Sequence, residues 1–80
     1  MITKIKNVLV TGASRGIGLN IAKKFNIEKY NIFTVSTRPW INKDFKPHKH
    51  FAVNLENEFE LNEFCNKIRS SHIDILINNA

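Results

Sequence analysis

Val8-Leu9-Val10-Thr11-Gly12-Ala13-Ser14-Arg15-Gly16-Ile17-Gly18 is the stretch that decides the fold of this 80-residue chain. An apolar, β-branched run feeds a glycine-rich turn, and an amphipathic helical pattern begins directly after it. The stretch reads as a strand, a phosphate loop and a helix N-terminus. Gly12 suits the tight turn, Gly16 lets main chain approach a pyrophosphate without a Cβ in the way, and Gly18 lets helix and strand pack closely. Free N–H groups and the positive end of the helix dipole then face the anion.

Residues 7 to 11 alternate too little for a half-exposed strand and predict a central parallel strand buried on both faces. Ile17, Ile21, Ala22 and Phe25 fall on one helical face, and this helix is expected to end near Glu28 or Lys29. A helix exit favours a left-handed residue, so a lysine there costs about 1 kcal/mol relative to glycine if that geometry holds. Residues 31 to 36 form the next strand, rich in β-branched and aromatic side chains, and Pro39 biases Arg38 to an extended conformation that ends it. Residues 39 to 49 carry two prolines, Trp40 and mixed charge without helical period. They predict a connection with at most one helical turn, the least ordered part of the chain. Trp40 and Phe45 in this loop read either as a partial cover over a nucleotide pocket or as apolar padding.

A short third strand is expected over residues 50 to 53. Asn57 then caps a second helix in a capping-box arrangement with Glu60, and Leu61, Phe64, Cys65 and Ile68 form its apolar stripe. Cys65, the single cysteine, accordingly reads as a small buried hydrophobe, with no internal disulfide possible. Residues 73 to 77 are the fourth strand. Strand and helix alternate throughout. Right-handed crossovers therefore give an α/β, Rossmann-like parallel sheet in the order 3-2-1-4, with the carboxyl ends of strands 1 and 4 lining one crevice.

Composition narrows the functional classes. With 42% apolar and 24% charged residues the chain is that of a soluble globular protein, and no apolar run reaches membrane-span length. The cytoplasm is the expected compartment. The net charge of +5 suits an anionic dinucleotide, whereas the scattered lysines lack the aromatic interleaving of a nucleic-acid surface. His48-Lys49-His50 lacks partners at metal-ligand spacing, so no metal is expected. Tyr30 reads as a half-buried packing residue.

The glycine spacing G-x-x-x-G-x-G differs from the general dinucleotide fingerprint, and no Lys-Ser or Lys-Thr pair follows it, which argues against an ATPase or GTPase. Thr11 to Gly18 resembles the TGxxxGxG cofactor motif of the short-chain dehydrogenase/reductase family. Asn78-Asn79-Ala80 resembles the start of that family's NNAG motif, and the resemblance covers the whole chain. It implies a cofactor site formed by Gly12, Ala13, Ser14, Arg15, Gly16, Ile17 and Gly18, by Thr37 and Arg38 after the second strand, and by Asn54 and Leu55 after the third. Asn78, Asn79 and Ala80 complete it. Asn54 stands where the family places a residue beside the adenine; by turn chemistry it equally caps the strand end.

An acidic residue at the end of the second strand would hold a free ribose 2′-OH, while a basic neighbourhood accepts a 2′-phosphate. Ser36, Thr37 and Arg38 offer no carboxylate, and Arg15 adds a second cation, a pairing that resembles the NADP-preferring members. NADP(H) is the expected cofactor and NAD(H) the weaker candidate. The family's catalytic Ser and Tyr-x-x-x-Lys are not in this chain: the fourth residue after Tyr30, the single tyrosine, is Thr34. Residues 1–80 are thus expected to be the cofactor-binding N-terminal half of a truncated oxidoreductase whose full-length relatives are homo-oligomers. The alternative is a standalone nucleotide-binding or regulatory module without catalysis.

Overall fold

The computed structural model describes residues 5–79. In chain order the elements are β1 (Asn7–Thr11), α1 (Gly16–Ile27), β2 (Asn31–Ser36), β3 (Lys49–Ala52), α2 (Glu58–Ser71) and β4 (Ile75–Ile77). The four strands form one parallel sheet in the expected order β3-β2-β1-β4, although no helix separates β2 from β3. β1 is central, with Val8 and Val10 fully buried.

The sheet's two faces are covered differently. Val8, Val10 and Ile32 face α1 and meet Ala13, Ala22 and Phe45, with Leu19 and Phe25 packed alongside. Leu9, Phe33, Val35 and Phe51 face the other way, toward Phe64 and Ile68 of α2. The period-two alternation of a strand assigns these neighbours to opposite faces.

Ile17 is a correction to the predicted helix face: it is 73% exposed, and Leu19, Ala22 and Phe25 carry the contact with the sheet, while Gly18 is buried against the Gly12 carbonyl. The place of Ile17 in the first turn of α1 puts it beyond the carboxyl end of the strands, where no core lies beneath it. The exit of α1 follows the predicted geometry. Lys29 has φ 67°, its N–H donates to Asn26 O, and the Tyr30 N–H donates to Phe25 O. This is a Schellman closure, and the Phe25 and Tyr30 rings meet edge to face at 5.1 Å to supply its usual apolar contact.

The connection from β2 to β3 contains no helical turn, yet it is knitted by its own side chains. Trp40 Nε1 donates to the carbonyls of Asn42 and Phe45, and Asn42 Oδ1 accepts from the N–H groups of Asp44 and Phe45. Phe45 is buried and Trp40 half-buried against it, so the pair serves as core on the α1 face. Padding is therefore the reading that fits.

Further differences concern α2 and β4. Cys65 is exposed, because α2 meets the sheet along a narrow line through Phe64 and Ile68 that leaves the next position on the flank. Asn57 caps α2 by accepting from the Glu60 N–H, but the Glu60 carboxylate accepts from the Asn54 N–H instead of closing the box. β4 begins at Ile75, after Asp74, whose carboxylate accepts from the Asn7 N–H at 2.8 Å. β3 starts one residue earlier than expected, and Val53 still donates to Ser36 O just past its end.

Candidate cofactor crevice

The carboxyl ends of β1, β2 and β4 converge on the glycine turn. Gly12 and Gly16 both have φ 63°, the left-handed region that a residue without a Cβ enters at no steric cost. A Cβ on Gly12 would lie 2.6 Å from Asn79 O. One on Gly18 would overlap the Gly12 carbonyl. A Cβ on Gly16 would meet nothing within 4 Å beyond its own chain neighbours and helix backbone, so that side of its main chain is open to an incoming group.

α1 begins here without a cap. No side chain bonds to its N-terminus, and its first turn holds no acidic residue. Asn57 does cap α2, and Glu58 and Glu60 lie in its first turn. Donors and positive dipole at the start of α1 are therefore left for an anion. Ser14, Arg15 and Ile17 are exposed around this turn, while Ala13 is buried beneath it.

The asparagine pair after β4 braces the turn. The Thr11 hydroxyl donates to Asn78 Oδ1 at 3.0 Å and accepts from the Asn79 N–H at 2.9 Å. Asn79 Nδ2 reaches the Gly12 carbonyl at 3.4 Å. Ala80, also expected in the site, lies outside the described residues.

Two adjoining depressions extend from this centre and share Ser36 and Thr37. The first, about 550 Å³, lies between the ends of β1, β2 and β3 and takes in Gly12, Val35, Asn54 and Leu55. Glu56 also lines it, a residue the sequence reading missed because nothing marks the turn after β3 as facing inward. The Asn54 side-chain oxygen accepts from the Glu56 N–H, so the turn-capping geometry is present in a residue that also lines the depression.

The second depression, about 460 Å³, brings Ser14 and Arg15 of the glycine turn together with Thr37 and Arg38. Pro39 and Ile41 complete its rim. Among the described residues no carboxylate lines it, and neither guanidinium is ion-paired. The Arg38 carbonyl is held from two sides, by the Ser36 hydroxyl at 2.9 Å and by His50 Nε2 at 2.8 Å. No sequence motif marked His50 for this contact; its register opposite Thr34 in the β2–β3 pair places it there.

Among the described residues, no group of three or more His, Cys, Asp or Glu is placed to hold a metal ion, and no helix is long and apolar enough to cross a membrane.

The family model for short chain dehydrogenases matches residues 6–80. No curated protein matches the sequence. Among solved structures, the chain is similar to a ligand-free aldohexose dehydrogenase from Thermoplasma acidophilum, with 29% identity and a TM-score of 0.76 over 96% of this chain and 30% of that one. It is also similar to an oxidoreductase of the short chain dehydrogenase/reductase family from Brucella ovis, in complex with a partially ordered NAD. There the identity is 28% and the TM-score 0.80, over 96% of this chain and 39% of that one. A short chain dehydrogenase from Leptospira borgpetersenii with bound NAD+ shares the fold, at 23% identity and a TM-score of 0.73 over 98% of this chain and 35% of that one. The chain thus spans 30 to 39% of the length of these solved relatives. With the glycine turn, the asparagine brace and the sheet order all in agreement, the chain belongs to the short-chain dehydrogenase/reductase family.

Proposed function

We propose that this chain is the NADP(H)-binding part of an oxidoreductase that moves hydride between the cofactor and a carbonyl or alcohol substrate. The observation that carries the cofactor choice is the depression in which Arg15 and Arg38 converge with Ser14 and Thr37 and no carboxylate among the described residues. A 2′-phosphate is a dianion with several acceptor oxygens, and guanidinium groups are its best-matched donors. A charge-assisted hydrogen bond contributes roughly 1.5 to 3 kcal/mol, so one good contact implies about a tenfold or greater preference over NAD(H).

The remaining residues fit the rest of a dinucleotide. Gly12, Ala13, Ser14, Gly16, Ile17 and Gly18 would hold the pyrophosphate against the uncapped start of α1. Asn54 and Leu55 would flank the adenine, and Asn78 and Asn79 would approach the nicotinamide-side ribose. Bound there, the nicotinamide supplies or accepts hydride. The chain's own part is to bind and orient it.

NAD(H) is the second reading, favoured by the NAD of the Brucella ovis relative and by Glu56 in the neighbouring depression. Dissociation constants for NADPH and NADH, measured by nicotinamide fluorescence on the wild type and on Arg38→Ala, decide between them. The proposal expects tighter NADPH binding in the wild type and a reduced preference in Arg38→Ala. Equal constants, unchanged by the substitution, would make both arginines ordinary surface charges.

A further inference from the structure

Arg38 is a long side chain on an exposed loop, and Pro39 removes one N–H from the peptide that follows it. A flexible cation at such a position loses rotamer and main-chain freedom when it grips a ligand, unless its backbone is already fixed. Here the backbone is fixed by β3. His50 Nε2 lies 2.8 Å from the Arg38 carbonyl and 3.2 Å from Ser36 Oγ, and the Ser36 hydroxyl itself donates to that carbonyl. A carbonyl only accepts, so the ring carries a proton on Nε2, which leaves Nδ1 to face the Thr34 hydroxyl. The Thr34 hydroxyl, fully buried, sits 2.7 Å from Nδ1. The Trp40 ring stands against the imidazole at 5.4 Å between centroids.

His50 lines neither cofactor depression. Its ring is nonetheless locked from three sides, and its one outward donor is spent on the main chain of Arg38. We infer that His50 is a positioning residue for cofactor choice: the relay Thr34–His50–Arg38 holds the loop after β2 so that the Arg38 guanidinium is presented to a 2′-phosphate. The inference rests on the NADP(H) reading given above. Thr34 and His50 are register partners, so the relay is set by the pairing of two strands and is already in place before any ligand arrives.

The test is a comparison of NADPH and NADH dissociation constants across four variants of the purified protein: His50→Phe, His50→Gln, Thr34→Val and Arg38→Ala. His50→Phe keeps a ring beside Trp40 and removes the donor. It is expected to weaken NADPH binding about three- to tenfold, the range of one net hydrogen bond, with NADH unchanged. His50→Gln can again donate to the Arg38 carbonyl and should restore most of the preference. Thr34→Val never touches ligand, so a smaller loss in the same direction is expected from it. If His50→Phe does not fold, His50→Gln and Thr34→Val still decide, the one retaining the preference and the other reducing it. A preference lost in Arg38→Ala but intact in His50→Phe and Thr34→Val would overturn the relay while leaving the NADP(H) reading standing. NADPH and NADH affinities falling in parallel would make His50 a structural residue and would equally overturn it. Equal affinities in the wild type would remove both readings together.

Discussion

Gly18 of α1 sits so tightly against the carbonyl of Gly12 that a single added carbon would overlap that oxygen. The start of the helix and the turn that feeds it are thereby one packed unit, with Asn79 Nδ2 also in contact range of a Cβ built on Gly18.

Gly18→Ala should therefore push the turn and the helix apart. Overpacking of this kind costs roughly 1 to 3 kcal/mol, and the obstructing groups are the Gly12 carbonyl of the glycine turn and the Asn79 amide that braces it. The expected outcome is a lower denaturation midpoint, followed by the fluorescence of Trp40, the single tryptophan, together with weakened binding of either cofactor. An unchanged midpoint would show that the turn relaxes freely.

Lys29→Gly acts in the opposite direction. The Schellman geometry demands a left-handed residue at this position, and lysine occupies it at φ 67°. Its side chain is exposed and contributes no core packing. Replacement should stabilise the fold by about 0.5 to 1 kcal/mol, after the greater freedom of glycine in the unfolded chain is subtracted. Thermal unfolding would read this as a rise of a few degrees.

Thr11→Val tests the brace between β1 and the asparagine pair. The substitution keeps the branched shape in β1 but removes the hydroxyl that serves Asn78 and Asn79 at once. Two neutral hydrogen bonds contribute about 1 to 3 kcal/mol together, and the Asn79 N–H is left seeking an acceptor. Chemical denaturation should show the loss.

Thr37→Asp puts a carboxylate into the depression that holds Arg15 and Arg38. It should repel a 2′-phosphate and accept from a free 2′-OH. Cofactor preference is expected to reverse toward NADH, as read by the ratio of the two dissociation constants.

How far the sequence speaks for itself differs from element to element. Val8, Leu9 and Val10 announce a strand buried on both faces through a continuous apolar run, and Ile32 to Val35 announces its neighbour through β-branched and aromatic side chains that suit a pleated surface. The parallel sheet follows from the helical crossovers that α1 and α2 supply, although β2 and β3 are joined without a helix, and Gly12, Gly16 and Gly18 mark the turn through their spacing. Cys65 and Ile17 are exposed against the helical pattern for one reason: periodicity gives the direction of a side chain but not how far the opposing layer extends. Glu60 chose the Asn54 N–H over its own cap because the turn after β3 brings that donor within reach, a tertiary circumstance. His50 was legible as a residue and illegible as a contact, since its role depends on the register between β2 and β3.

Gly12 and Gly16 share one backbone angle, but a side chain would fare differently on each: Asn79 crowds a Cβ on the first, while one on the second would meet no residue beyond its own neighbours and helix. A library of variants sorted for folding would reject side chains at Gly12 and Gly18 on steric grounds. At Gly16 it would register only the conformational penalty of about 1 to 2 kcal/mol, least for asparagine. The same library sorted for ligand capture should reject substitutions at Gly16 far more sharply. A position whose tolerance depends on which selection is applied is one where binding, and not folding, sets the residue.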